Sequence, residues 1–274
     1  MGRIPTKEIY SILAELKGTV GLYIEDLKTG ETLNINPETV FPACSVIKIP
    51  MLGLLLKDSA EGRVDIDVPH IIAQENRCNG TGILCDLAPI YNLTLRDLGK
   101  LMIIMSDNIA TNEVMDVLGV DRFHSFCAEM GIPGFVWQRK MMDFDAIRQG
   151  KNNYLTPAAA GKAVSEIARG TFVSKEISEV IWNFMCAQKY RNKLPSIVPA
   201  VPSYSGIDAG VPEGMVRVAN KTGDLVGIQH DVGIFDLPNG DRYVIAMFTK
   251  DLESDLDGIT AIGKVSLAVY NAFK

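Results

Sequence analysis

The sequence predicts an α+β fold, an α/β sandwich with one five-stranded antiparallel sheet built from both ends of the chain. Two observations support this prediction. Residues near both termini alternate between apolar and polar, which is typical of strands, whereas the long middle of the chain follows the period of a helix. Strands at both ends with helices between them imply that the termini meet in one sheet. The helical middle is then an inserted subdomain packed beside that sheet.

The N-terminal region predicts a helix followed by a β-hairpin. Gly18 is a plausible end for the helix, residues 20–24 alternate like a half-buried strand, and residues 26–30 form a turn before a return strand at 32–35. The apolar residues of the helix repeat at i, i+3, i+4 and i+7: Ile9, Ile12, Leu13 and Leu16.

The rest of the chain predicts six helices, then three strands and a closing helix. Strands are expected at 216–219, 232–235 and 243–248, with a hairpin turn at 238–241 and a last helix at 259–273. The expected division is an α/β subdomain of residues 1–44 and 214–274 and a mainly helical subdomain of residues 45–213. The six predicted helices span residues 47–56, 95–105, 111–118, 121–130, 157–168 and 175–187.

Composition and charge limit the partners that this chain can have. The 274 residues include 27 Lys and Arg against 33 Asp and Glu, a formal net charge of −6, so nucleic acid is not expected as a partner. The longest apolar stretch, residues 49–56, is too short to span a bilayer, so no stable membrane insertion is expected. The N-terminus lacks the apolar core of a secretory signal, which leaves a cytoplasmic protein or an exported one with its signal removed.

The cysteines and histidines do not form the pattern of a disulfide framework or a metal site. Five cysteines at scattered positions are interpreted as free thiols, with a pair between Cys78 and Cys85 as the alternative. No CxxC or HExxH motif is present, and the three histidines are far apart in the sequence. No metal and no organic cofactor is therefore expected.

Three short motifs carry the residue types of nucleophilic catalysis. In the first, residues 45–48, one helical turn separates Ser45 from Lys48, so the amine can reach the hydroxyl and activate it. The second is residues 106–108, Ser-Asp-Asn, and the third is residues 221–223, Lys-Thr-Gly. Each motif alone also has a structural interpretation: a helix start with a surface lysine, a helix cap, and a solvated strand end.

The order and spacing of the three motifs resemble those of the penicillin-recognising serine hydrolases, and most closely those of the class A β-lactamases. The resemblance covers nearly the whole chain and implies a single catalytic domain of residues 1–274. Segments outside the motifs that resemble the family are residues 19–36, 41–44, 93–98 and 105–112.

The resemblance implies a role in acylation for four side chains. Ser45 would be the acylated nucleophile, and Lys48 would take or relay its proton. Ser106 would help to pass that proton to the departing nitrogen. Asn108 would hold Lys48 or the amide of the substrate.

The resemblance also implies a substrate-binding strand. Lys221 and Thr222 would bind the carboxylate of the substrate, and Gly223 would let the backbone approach it closely. The backbone N–H groups of Ser45 and Asp224 would form the oxyanion hole. The carboxylate of Asp224 departs from the family pattern and could repel anionic substrates. His230 falls where many family members place a carboxylate-binding arginine, with a hydrogen-bonded strand histidine as the alternative.

The deacylating base of the family is missing from its expected place. Class A β-lactamases usually carry a glutamate on a loop before a Thr-Pro pair. If Arg139 matches the anchoring arginine of that loop, Met141 stands where the glutamate would be. Asp143 and Asp145 are the candidates to replace it, and hydrogen bonds that fix the loop are the alternative interpretation for both.

The sequence therefore predicts a serine hydrolase that opens a β-lactam or a related amide through an acyl-enzyme on Ser45, with slow deacylation. The alternatives are a D,D-peptidase or esterase-type penicillin-binding enzyme and, in a different class, a non-catalytic binding module. The expected partner is a small β-lactam or peptide-like substrate, and the expected state is a monomer.

Overall fold

One antiparallel sheet of five strands organises the molecule. The computed structural model describes residues 2–89, 92–203 and 210–274. The strands are β1 (Thr19–Asp26), β2 (Thr32–Ile35), β3 (Phe41–Pro42), β4 (Tyr154–Leu155), β5 (Arg217–Leu225), β6 (Ile228–Asp236) and β7 (Arg242–Lys250). The strand order β2-β1-β7-β6-β5 places strands from both ends of the chain side by side, which confirms the predicted α+β fold.

The six helices predicted in the middle of the chain are all present, with bounds shifted by a few residues. The short helix α6 and the small β3–β4 pair were not predicted. The helices are α1 (Thr6–Leu13), α2 (Lys48–Ala60), α3 (Leu95–Ile104), α4 (Asn108–Leu118), α5 (Val120–Glu129), α6 (Phe144–Arg148), α7 (Pro157–Arg169), α8 (Lys175–Cys186) and α9 (Asp255–Phe273).

The sheet is buried on both faces, which explains the nearly continuous apolar runs in its last strands. Helix α9 packs on β6 and β7 and also contacts α1, while α7 and α8 pack against the sheet within the other apolar cluster. Side chains of β7 alternate between the two clusters, because successive residues of a strand point to opposite faces. Ile245 and Met247 belong to the cluster with α9, and Val244 and Ala246 belong to the cluster with α7.

The three motifs meet where the helical part of the chain packs against β5, the strand that carries residues 221–223. A short 3₁₀ helix, Cys44–Ile47, packs against β5 and leads directly into the buried helix α2. The corner between α3 and α4 carries residues 106–108.

The boundaries of the two predicted subdomains stay a prediction. Residues 90–91 and 204–209 of the helical one, and residue 1 of the other, lie outside the described residues. Among the helices of the described ranges, none is long and apolar enough to cross a membrane.

Candidate active site

Ser45 lies in the 3₁₀ turn at the start of α2 and lines a cavity of about 190 Å³. Its neighbour Cys44 has a φ of 45°, a left-handed backbone that is uncommon for residues other than glycine and that is often found at functional sites. The tight turn keeps Ser45 and Lys48 one helical turn apart. The other residues that line the cavity are Thr81, Ser106, Tyr190, Asn192, Thr222 and Asp224.

Lys48 is fully buried beside the second motif. Its Nζ is 2.7 Å from the carbonyl oxygen of Ser106, 3.0 Å from Oδ1 of Asn108 and 3.2 Å from Oγ of Ser106. Burial, helped by the nearby charge of Lys221, holds the pKa of Lys48 well below its ordinary value. A neutral amine in this position can accept a proton, which is what the activation of a serine requires.

The second motif combines a helix cap, Asp107, with a hydroxyl group at the cavity, that of Ser106. Asp107 caps α4, as the helix-cap interpretation predicted, and its Oδ2 also accepts a hydrogen bond of 2.8 Å from the N–H of Ile83. The N–H of Asn108 donates to the carbonyl of Thr81 at 2.9 Å. These bonds hold the loop of residues 80–84 at the cavity entrance. Ser106, with a φ of 50°, lines the cavity beside Lys48.

Lys221 lies beneath the cavity and is fully buried in β5. Its Nζ is 3.0 Å from Oγ of Ser106 and donates to the carbonyl of Thr222 at 2.9 Å. The Ser106 hydroxyl therefore lies between two lysine amines, 3.2 Å from Lys48 and 3.0 Å from Lys221. Burial lowers the pKa of Lys221 to about 7, so its charge is lost near neutral pH.

Lys193 is the main site residue that the sequence reasoning missed. It is fully buried in the loop after α8, and its Nζ donates to Oδ1 of Asp224 at 2.5 Å. The same ammonium donates to the carbonyls of Gly223 and His230, both at 3.1 Å. Tyr190 of the same loop was also missed. No local sequence signal marks this loop, because its residues reach the site only through the tertiary fold.

His230 does not take the place of a carboxylate-binding arginine. Its side chain is fully buried, with Nε2 2.9 Å from the carbonyl of Pro42, while Nδ1 accepts a long hydrogen bond of 3.3 Å from the N–H of Thr249. Burial lowers the pKa of His230 to about 4, so the ring is neutral at physiological pH. The structure therefore favours the hydrogen-bonded strand histidine, and the expectation of a substrate contact is corrected.

Asp143 and Asp145 are engaged in local contacts and not in the Ser45 cavity. Asp143 caps α6 by accepting a hydrogen bond of 2.9 Å from the N–H of Ala146. The side chain of Asp145 is 78% exposed and pairs with Arg148. Neither is among the described residues that line the cavity. These contacts favour the loop-fixing interpretation over a role in deacylation.

Met141, which the sequence analysis predicts to stand in the place of the deacylating glutamate, is fixed by two hydrogen bonds to Asn112. Its N–H donates to Oδ1 of Asn112 at 2.8 Å, and its carbonyl accepts from Nδ2 of the same side chain at 3.3 Å. The Met141 side chain is buried in the main apolar cluster. Arg139 anchors the loop through a 2.9 Å hydrogen bond from Nε to Oδ1 of Asn152.

The possible metal ligands are scattered over the described part of the chain. Over residues 2–89, 92–203 and 210–274, no three His, Cys, Asp or Glu side chains lie close enough together to hold a metal ion. All five cysteines are free; Cys127 and Cys186 are buried and the other three are half-buried. The alternative of a disulfide between Cys78 and Cys85 is therefore not seen.

Comparison with known proteins decides the family. The model of the family described as "Beta-lactamase enzyme family" matches residues 4–273, nearly the whole chain. The chain belongs to the beta-lactamase enzyme family. It is therefore a β-lactamase-like serine hydrolase, and its α+β architecture is that of the class A enzymes.

Individual relatives match this enzyme over most of their length. A β-lactamase of Bacteroides uniformis is 27% identical over an alignment that covers 97% of this chain and 90% of the relative. The crystal structure of a β-lactamase from Sphaerobacter thermophilus has a TM-score of 0.85 and 29% identity, covering 97% of this chain and 95% of the other. PBP-A has a TM-score of 0.83 and 29% identity, covering 98% and 96%. A mutant of PBP-A has been solved as an acyl-enzyme complex with penicillin-G.

Proposed function

We propose that the enzyme forms an acyl-enzyme on Ser45 with β-lactams or related amides and releases the acyl group slowly. The observation that carries this proposal is the placement of Ser106 between the amines of Lys48 and Lys221, in the same cavity as Ser45. The similarity to PBP-A, whose mutant forms an acyl-enzyme with penicillin-G, supports the acylation step. The buried Met141 in the place of the glutamate supports slow release.

The acylation that we infer uses the amine of Lys48, which lies one helical turn along the chain from Ser45. In its neutral form this amine takes the proton of the Ser45 hydroxyl, and the serine oxygen bonds to the carbonyl carbon of the substrate. The N–H groups of Ser45 and Asp224 stabilise the negative charge that develops on the carbonyl oxygen. When the carbon–nitrogen bond breaks, the hydroxyl of Ser106 gives its proton to the departing nitrogen and receives the proton held by Lys48.

The small cavity defines which part of the substrate is enclosed. Its volume of about 190 Å³ lies below the roughly 300 Å³ at which typical ligand pockets begin. The cavity therefore takes the reacting amide and its neighbouring carboxylate and leaves the rest of the substrate outside. Thr222 contacts that carboxylate directly, and Lys221 attracts it from beneath.

We also propose that the enzyme acts as a monomer, because all of these residues come from one chain.

The test of this proposal is the site of the covalent adduct. A fluorescent penicillin is expected to label the wild-type enzyme, and peptide mapping by mass spectrometry is expected to find the adduct on Ser45. The variant Ser45→Ala is the control and should remain unlabelled, since the nucleophile is gone. An adduct on any other residue contradicts the assignment.

Recognition of anionic substrates should weaken as the pH rises through about 7. Lys221 is charged below its pKa of about 7 and neutral above it, so its attraction for a carboxylate is present at low pH and lost at high pH. We expect the KM for penicillin G to rise over this range, while the KM for an uncharged activated ester stays nearly constant. The two KM profiles between pH 5.5 and 8.5, roughly the range that brackets this pKa, are the measurement. Parallel profiles for the two substrates would exclude Lys221 as the carboxylate attractor.

A further inference from the structure

The ammonium of Lys193 is a buried charge built into the wall of the active site. All three of its hydrogens can be matched to acceptors, because three oxygens lie within 3.1 Å of Nζ. A fully buried lysine is stable only when its charge is paired and its hydrogen bonds are made. The only carboxylate within salt-bridge distance of Lys193 among the described residues is that of Asp224.

The partners of Lys193 connect it to the oxyanion strand. Gly223 and His230 face each other in the register of β5 and β6, and the ammonium bonds to both carbonyls. Asp224 follows directly, and its side chain is 55% exposed at the cavity that holds Ser45. The buried ammonium of Lys193 thus pairs with the Asp224 carboxylate on its protein side. The other side of this carboxylate is exposed to the cavity and to the substrate.

The loop that carries Lys193 is itself fixed to the sheet. The next residue, Leu194, donates its N–H at 3.0 Å to Oδ2 of Asp231, which is fully buried. Asn220 of β5 donates at 3.0 Å to the other oxygen of Asp231. These hydrogen bonds fix the backbone next to Lys193 against β5. The ion pair between Lys193 and Asp224 is therefore held in one geometry.

We propose that Lys193 is a specificity-determining residue: it neutralises Asp224 so that the cavity admits a substrate that bears a carboxylate. Without Lys193, an unpaired carboxylate at the cavity would repel the carboxylate of the substrate. The inference rests on the proposed acylation of Ser45.

The experiment compares penicillin G with its methyl ester, which lacks the negative charge and carries one extra methyl group, so each variant is judged by its ratio to the wild type for the same probe. The second-order rate constant of Ser45 acylation is measured by intact-mass spectrometry for the wild type, Lys193→Met, Asp224→Asn and the double variant. Lys193→Met should slow acylation by penicillin G about tenfold and change the rate with the ester less than about twofold, because only the anion is repelled. The double variant should recover the penicillin G rate to within about threefold of the wild type, since no unpaired carboxylate remains.

If Lys193→Met lowers the acylation rate constant equally for both probes, the lysine is only structural and the proposal is overturned. A double variant no faster than Lys193→Met would also overturn the proposal. Asp224→Asn does not depend on how well the lysine variant folds. In this variant the ratio of the acylation rate constant for penicillin G to that for the ester should rise several-fold above the wild-type ratio. The reason is that the positive charge of Lys193 is then uncompensated and attracts the anion. An unchanged ratio would contradict the proposal.

A second readout separates this inference from the proposed function. In the Ser45→Ala background, calorimetry measures reversible binding of the two probes without any covalent step. Failure of the wild type to form a Ser45 adduct would refute the proposed function, and the ratio of the two dissociation constants would still test the pairing of Lys193 with Asp224. A ratio unaffected by Lys193→Met in this background overturns the inference.

Discussion

Replacing Lys48 with alanine is expected to abolish measurable acylation of Ser45. Lys48 is buried against Ser106 and Asn108, and its lowered pKa makes it the available base for the serine hydroxyl. General acid–base help is typically worth about 10²–10⁴-fold, so the adduct should form that much more slowly or not at all. Timed intact-mass spectra with a fluorescent penicillin measure the rate.

The matched control for this variant is Lys57→Ala in the same helix. Lys57 is a lysine of α2 that pairs with Glu61 and does not line the cavity, so its loss should leave the acylation rate within roughly twofold of the wild type. Circular dichroism shows whether Lys48→Ala still folds, because Ser106 and Asn108 lose their buried partner. Acylation of a folded Lys48→Ala at the wild-type rate would make the lysine structural and leave Ser45 without its base.

The sheet and the helices could be predicted from local signals in the chain, and the meeting of the three motifs from the family resemblance. Apolar periodicity distinguished the strands near the termini from the helices between them, since a strand repeats every 2 residues and a helix about every 3.6. The family resemblance carried by the order of the motifs then implied that Ser45 and Lys221 share one site, and the structure puts both beside Ser106. Agreement between pattern and fold is expected where each segment has a strong preference of its own.

The parts of the site that could not be predicted depend on tertiary contacts. Lys193 is a lysine in a loop without motif or period, and its role appears only once that loop lies against β5. Counting residues from Lys221 placed His230 near the site in sequence. It could not show that both ring nitrogens form hydrogen bonds with backbone groups. Asp143 was a candidate base by its residue type, and its capping of α6 depends on a short helix that the sequence did not predict.

Introducing a carboxylate by Met141→Glu is expected to turn a long-lived acyl-enzyme into a faster β-lactamase. In the wild type, penicillin should label Ser45 easily and the adduct should accumulate, because the usual water-activating glutamate is absent. The side chain of Asn112 binds both the N–H and the carbonyl of Met141, so the backbone at this position should stay in place after the substitution. Met141 is buried in the apolar cluster and does not line the cavity. The glutamate must therefore turn away from that cluster toward Ser45, and the cost of burying an unpaired carboxylate favours this.

The gain should be seen in deacylation and not in acylation. A carboxylate in this partly apolar surrounding has its pKa raised toward neutrality, where a general base works best, and such a base is typically worth about 10²–10⁴-fold. Pulse-labelling with penicillin G followed by timed intact-mass spectra gives the deacylation rate, and steady-state nitrocefin hydrolysis should rise with it. Met141→Gln is the matched control, because it places a polar group of the same shape there without a base.

Asp143→Asn and Asp145→Asn complete the comparison, and both should leave the slow deacylation of the wild type unchanged. Asp143 is committed to the cap of α6, and Asp145 is exposed and paired with Arg148, so neither holds a water against the ester. Fast turnover by the wild type that disappears in either variant would identify that aspartate as a working base and refute slow release. Equal deacylation in Met141→Glu and Met141→Gln would mean that the loop places this side chain out of reach of the acyl group. The absence of the glutamate would then be a consequence of the loop geometry and not the cause of slow release.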